Sequence, residues 1–250
     1  MKHSILILGG TAEARRLAEI LAGNPDYTVE LSLAGRTRAP VEHAVPIRVG
    51  GFGGADGLAT YLRERGIAIL IDATHPYAAQ ISTNAAVASE VSGVPLLALR
   101  RDPWQRGEGD RWEMVDGVAD AVSVLGGKPR RVFLTLGRQE LLPFEAAPQH
   151  HYLIRSVDPV EPPLQVPRAT YITDRGPFDE VREERLLRDN SIEVIVAKNS
   201  GGSASYGKIA AARALGIDVV LIKRPELPNV PSVGTIEEVL RHLAHVLLPR

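Results

Sequence analysis

His3-Ser-Ile-Leu-Ile-Leu-Gly-Gly-Thr-Ala-Glu-Ala-Arg-Arg-Leu17 decides the fold. Ile5 to Leu8 make a short apolar strand, Gly9-Gly10-Thr11 make a turn, and a helix begins at once. A strand that feeds a helix N-terminus through glycines is an anion-binding device. Backbone N–H groups point outward there, the helix dipole favours negative charge, and glycine lets a phosphate close on the main chain. The turn reads GGTAEA, with Ala14 where the GxGxxG dinucleotide fingerprint carries its third glycine. An ordinary first strand-to-helix turn of an α/β domain is equally compatible with these residues alone.

Downstream, short apolar runs alternate with amphipathic stretches. Ala12–Leu21 reads as helix, Thr28–Ala34 as strand, Gly57–Arg65 as helix, Ile67–Ile71 as strand, Ala78–Val91 as helix and Pro95–Leu99 as strand. A second series follows the punctuation Gly126-Gly127-Lys128-Pro129. Its strands are Arg131–Leu136, Tyr152–Arg155, Thr170–Thr173, Ile192–Ala197 and Asp218–Ile222, with helices over Phe178–Asp189, Ser205–Leu215 and Ile236–Leu247. Thr235 is the expected N-cap of the last helix. The strands are continuous apolar runs with little alternation, as in a parallel sheet covered on both faces. Two successive βαβ series predict an α/β chain of two Rossmann-like, doubly wound parallel-sheet domains, residues 1–126 and 127–250. Ser156–Pro167 carries four prolines and reads as a loop.

Composition narrows the function. With 250 residues, 44% of them hydrophobic, the chain can bury a substantial core. A net charge of −1 gives no bulk attraction to nucleic acid or to an anionic membrane, so any basic site must be local. Cysteine is absent, which excludes disulfides, thiolate metal sites and cysteine nucleophiles. No apolar run approaches the roughly 18 residues that span a bilayer. Lys2 and His3 lead straight into a short strand without a signal-peptide pattern, so a cytoplasmic location is expected. No metal site or Ser-His-Asp triad is legible.

In the first half, the second strand ends in Ala34-Gly35-Arg36-Thr37-Arg38. An acid at this edge selects NAD, whereas arginine accommodates the 2′-phosphate of NADP, so two arginines and no acid favour NADP. Arg48 to Asp56 is a glycine-dense loop containing Gly51, suited to close approach of a ligand or to simple flexibility. The next strand ends Asp72-Ala-Thr-His-Pro-Tyr77, with Pro76 expected in a first helical turn, Thr74 or His75 near the cap, and His75 projecting beside the cofactor. In the second half, Arg138, Arg155, Arg175 and Lys198 each follow a strand, a pattern that suggests one pocket for an anionic substrate.

Two patterns are decoys. Gly202 to Lys208 fits GxxxxGK but continues with Ile209, where a P-loop needs a hydroxyl to hold Mg²⁺. A nucleotide-dependent transferase or ATPase is therefore the weaker alternative, beside a non-catalytic NADP sensor. Tyr206 and Lys208 are too close for a YxxxK pair, and Tyr77 has no lysine four residues on. His242 and His245 on the last helix read as surface residues.

With ILILGGTAEARRLA, SLAGRT, IDATHPYA, FLTLGRQEL, ITDRGPF and VAKNSGG…YGKIAAARALGI in order along nearly its whole length, the chain resembles the precorrin-6A reductases of corrin (vitamin B12) biosynthesis. The resemblance implies NADPH on the first domain and, as partner, a tetrapyrrole-derived macrocycle bearing many carboxylates. The implied reaction is hydride delivery to one macrocycle double bond and protonation of the neighbouring carbon, with cobalt-free and cobalt-containing substrates both open. Cofactor contacts are then expected from Gly9, Gly10, Thr11, Glu13, Ala34, Gly35, Arg36, Thr37, Arg38, Gly51, Thr74 and His75. Substrate contacts are expected from His75, Tyr77, Arg138, Arg155, Arg175, Lys198, Asn199, Ser200 and Lys208. The proton donor is left open between His75, Tyr77 and water, and other enzymes of the pathway remain open as partners.

Overall fold

The structure is a computed structural model that describes residues 2–35 and 43–247. Arg36, Thr37 and Arg38 lie outside the described residues. The first domain begins with β1 (His3–Leu8), α1 (Ala12–Ala22), β2 (Tyr27–Leu33), β3 (Ile47–Val49), α2 (Gly54–Glu64), β4 (Ile67–Asp72), α3 (Ala79–Ser92) and β5 (Leu96–Leu99). The second contains β6 (Trp112–Val115), α4 (Val118–Leu125), β7 (Arg131–Thr135), β8 (His151–Ser156), β9 (Ala169–Thr173), α5 (Glu180–Asp189), β10 (Val194–Lys198), α6 (Gly207–Leu215) and β11 (Asp218–Ile222). Two short 3-10 turns, Arg138–Glu140 and Leu142–Ala146, lie between β7 and β8. The chain then adds β12 (Ser232–Val233) and α7 (Ile236–Leu247) to the first domain.

The six-stranded sheets run β12-β5-β4-β1-β2-β3 and β6-β11-β10-β7-β8-β9, and every pairing is parallel. Each central strand is buried on both faces, which is why it reads as an unbroken apolar run. In β1, Ile5 and Ile7 join a core with Leu17 and Leu21 of α1 and Val239 and Leu243 of α7. Leu6 and Leu8 join the opposite core, with Leu58 and Leu62 of α2 and Ala85 of α3. Each of these fully buried aliphatic side chains contributes about 2 kcal/mol relative to leaving it in water. In α1, Ala14, Leu17, Ala18 and Leu21 are buried at helical spacing, and Thr11 caps the helix.

The chain divides at 102/103 and 224/225, rather than at the expected 126/127. The expected boundary at 127 assigned β6 and α4 to the first domain and β12 and α7 to the second. Both strands escaped reading because they are sheet edges. Trp112-Glu-Met-Val115 has four residues, with Glu113 and Met114 both exposed, the latter 43%, and β12 has only two residues. Thr235 does cap α7: its Oγ1 accepts from the Glu238 N–H at 3.2 Å, and the Glu238 carboxylate accepts from the Gly234 and Thr235 N–H groups at 2.9 and 3.0 Å. In each sheet a sixth strand completes the 3-2-1-4-5-6 order of a doubly wound fold; the first sheet takes it from the C-terminal segment of the chain, and the second takes it from the start of its own segment.

Candidate functional site

In the first domain all strands are parallel, so the loops after β1, β2, β3 and β4 share one edge of the sheet. The Gly9 N–H donates to Ser32 O at 2.9 Å, the Ala73 N–H to Leu8 O at 3.0 Å and the Gly50 N–H to Leu33 O at 2.9 Å, which carries the ladders to their ends. Strand order reverses between β1 and β4, where a doubly wound sheet leaves its ligand crevice.

The glycine turn sits at that point. A Cβ on Gly9 would lie 2.5 Å from Leu31 Cδ1 and 3.4 Å from Ala14 Cβ. Ala14 is fully buried against the turn, so an alanine suffices where the fingerprint's third glycine gives close helix–strand packing. Gly10 has φ +115, and a Cβ there would meet nothing within 4 Å. Its open side is the approach a phosphate needs. Thr11 Oγ1 accepts from the Ala14 N–H at 3.1 Å and donates to Ala73 O at 2.8 Å, tying the turn to the loop after β4. Glu13 is paired to Arg101 at 2.6 Å.

Arg48 organises the second glycine loop. Its guanidinium donates to Gly50 O at 2.6 Å and Gly51 O at 2.8 Å and stacks 3.8 Å over the Phe52 ring. After β4, the buried Asp72 carboxylate accepts from the Thr74 N–H at 3.1 Å, from Thr74 Oγ1 at 2.7 Å and from Ser82 Oγ at 2.6 Å. His75 Nδ1 accepts from the Tyr77 N–H at 3.3 Å, and the two rings lie 5.5 Å apart. The helix starts later than expected. Ala78 is the N-cap of α3 with no side-chain cap bond, so Pro76 stands before the helix and neither Thr74 nor His75 caps it. Asp72 takes the Thr74 hydroxyl that could have capped.

In the second domain, Arg155 is almost wholly buried. Its two Nη atoms donate to Glu183 Oε1 and Oε2 at 2.5 and 2.8 Å, and its plane stacks 3.7 Å over Phe178. Lys208 is also buried: Nζ donates to Ser205 O at 2.8 Å and lies 5.1 Å over the Trp104 ring. Loss of solvent, with the Arg155 charge adding to it and Glu183 opposing, lowers the Lys208 amine to about 7. Both ends of the Asn199 amide are taken up by Trp104, which donates its N–H at 2.7 Å and accepts at its carbonyl at 3.0 Å. Trp104 Nε1 donates to Gly202 O at 2.8 Å, and Arg224 donates to Asn199 O at 2.9 Å and Ser200 O at 3.1 Å. Lys198 pairs with Glu140. Arg138 donates to Pro159 O at 3.3 Å. A hollow of about 380 Å³ lies beside this loop, lined by Trp104, Arg106, Trp112, Met114, Asn199 and Arg224 among others.

A model of the family described as Precorrin-6x reductase CbiJ/CobK matches residues 4–244 of the chain. The chain belongs to the precorrin-6x reductase family. A precorrin-6A reductase of a Sinorhizobium species is 57% identical over 248 residues, covering 99% of this chain and 95% of that one. A precorrin-6A reductase of Rhodobacter capsulatus is 49% identical over 247 residues, covering 98% of both. A solved structure of a precorrin-6A reductase, CobK, superposes with a TM-score of 0.94 at 48% identity, covering 98% of this chain and 97% of that one.

The reductase brings the expected residues together unevenly. Gly9, Gly10, Thr11, Ala34, Gly35, Gly51, Thr74, His75 and Tyr77 lie on loops at one sheet edge of the first domain, while Glu13 faces Arg101. Lys198 at the end of β10, Asn199 and Ser200 in the loop after it and Lys208 in α6 are neighbours along the chain, whereas Arg138 and Arg175 follow β7 and β9. Arg155, expected as an open cation, is closed by Glu183. The signal for that pair was present in α5, where Glu183 stands four residues before the buried Leu187, on the stripe that faces the core. Asp72, Arg48, Trp104 and Arg224 were missed as organisers of the loops.

Proposed function

We propose that this reductase uses NADPH to reduce one double bond of precorrin-6A, or of its cobalt form, to the precorrin-6B level in cobalamin biosynthesis. The observation that carries the reading is the glycine turn at the reversal of strand order: Gly10 at φ +115, open where its side chain would stand, in front of a capped helix. Such a turn fits a pyrophosphate. When bound, NADPH supplies the hydride. The chain's own work is to hold and align. Main-chain N–H groups of Gly9 to Thr11 take the pyrophosphate, with Glu13 beside them. Ala34 and Gly35 with Arg36, Thr37 and Arg38 take the 2′-phosphate, and Gly51, Thr74 and His75 complete the cofactor's bed.

On the second domain, Arg138, Arg175, Lys198 and Ser200 present polar groups to the carboxylates of the macrocycle; His75 and Tyr77 are the substrate contacts expected on the first. Several separated contacts are needed, because one misplaced contact misaligns the reacting carbon. Arg155, Asn199 and Lys208 act one step back, fixing the loop that carries Lys198 and Ser200. The GxxxxGK alternative loses its support, since Lys208 Nζ is turned inward to Ser205 O, away from any phosphate in solvent. No helix among the described residues is long and apolar enough to cross a membrane.

The test is spectrophotometric. Purified protein, NADPH and precorrin-6A should lose absorbance at 340 nm in step with substrate reduction, with NADH much slower. No oxidation of NADPH with either the metal-free or the cobalt substrate would refute the reading.

A further inference from the structure

We propose that Asp72 sets the redox preference of the bound nicotinamide, by holding a buried negative charge on the side where the ring becomes a cation. The inference rests on the NADPH reading above. Asp72 ends β4, the strand between β1 and β5, and is 4% exposed. All three of its hydrogen-bond donors, the Thr74 N–H, the Thr74 hydroxyl and the Ser82 hydroxyl, are neutral. Among the described residues it has no ion-pair partner. Two other buried acids of this chain do: Glu183 has Arg155, and Asp110 has Arg213. A buried carboxylate is ordinarily matched by a cation. Here the hydrogen bonds hold it in place, and no described residue supplies the counter-charge.

The fold says where a cation would come from. A doubly wound sheet is two mononucleotide-binding halves, one on each side of the strand reversal. A pyrophosphate held at Gly9 to Thr11 sends the adenosine half toward β2 and the nicotinamide half toward β4. Thr11 Oγ1, bonded to Ala73 O, fixes the turn against the residue next to Asp72. Reduced nicotinamide is neutral and oxidised nicotinamide carries a ring charge. A fixed negative charge, poorly screened inside the protein, therefore tightens NADP⁺ relative to NADPH and makes the bound cofactor a stronger hydride donor.

The experiment measures the dissociation constants of NADP⁺ and NADPH for the full chain and its variants, with no macrocycle present. Asp72→Asn should raise the ratio Kd(NADP⁺)/Kd(NADPH) on the order of tenfold. Ser82→Ala, which removes one hydrogen bond and keeps the charge, should leave the ratio unchanged. An unchanged ratio in Asp72→Asn overturns the proposal, as does an equal shift in Ser82→Ala. If Asp72→Asn fails to fold, Asp72→Ser takes its place. Failure of both neutral variants to fold, with Ser82→Ala folded, assigns the carboxylate to structure alone and overturns the proposal too. Wild-type protein that binds neither nucleotide refutes the NADPH reading itself, before any variant is compared.

Discussion

The guanidinium of Arg155 grips the carboxylate of Glu183 through two hydrogen bonds, and both side chains are withdrawn from water. Bidentate geometry makes this a strong charge-assisted contact, yet most of the Coulomb gain offsets the cost of burying two charges. Removing one partner is therefore far worse than removing both.

Arg155→Ala should destabilise the protein by about 3–5 kcal/mol, because it leaves the Glu183 charge buried and unmatched. The double variant Arg155→Met with Glu183→Leu should recover most of that loss. Urea unfolding of the three proteins checks it. A stable Arg155→Ala protein whose only defect is a raised KM for the macrocycle would make Arg155 a direct substrate ligand.

Gly10→Val should abolish NADPH binding while the fold survives. The added side chain points into open space, so nothing in the protein resists it except backbone strain at φ +115, a cost of about 1–3 kcal/mol. Circular dichroism tests the fold and NADPH fluorescence tests binding. Normal binding in a folded variant would leave the turn with a structural role only.

Arg36→Ala should weaken NADPH by about 1–3 kcal/mol, the scale of a lost charge-assisted contact, and barely change NADH. The ratio of the two affinities is the measurement. An unchanged ratio would move the 2′-phosphate away from the Arg36–Arg38 segment.

Lys208 gives a pH dependence of definite sign. Its folded value, about 7, is below the ordinary 10.5, so the unfolded chain binds the extra proton across that interval. Burial of the charged amine destabilises the protein fully below about pH 7, and the penalty is relieved as pH rises toward 10.5. Wild type should therefore gain stability relative to Lys208→Met between pH 7 and pH 9.5, by at most about 1.4 kcal/mol per pH unit. Urea midpoints at the two pH values decide it, and a constant difference would show the amine staying charged throughout.

The central strands were legible because burial on both faces leaves no room for polar residues. Ile5–Leu8 and Ile67–Ile71 announce themselves for that reason. Edge strands face water on one side, so Trp112–Val115 and Ser232–Val233 carry no comparable run and the domain boundary was misplaced with them. The glycine turn was legible because its chemistry is local. The burial of Arg155 was only half legible: Glu183 stands on the core-facing stripe of α5, but the cation that meets it lies 28 residues away and only folding brings the two together. Asp72 was hidden for the opposite reason: an acid at the end of an apolar strand looks like the strand's polar terminus until Ser82 is seen above it.

The ownership of the sixth strands has a consequence for biosynthesis of the protein. A ribosome that has reached residue 224 has already made every strand of the second sheet, and that domain is one continuous piece of chain. The first domain, begun earlier, still lacks β12 and the α7 residues Val239 and Leu243 that share a core with Ile5 and Ile7. The nascent chain thus carries an open first sheet through the synthesis of everything between, and the domain that is started first is the one that is finished last.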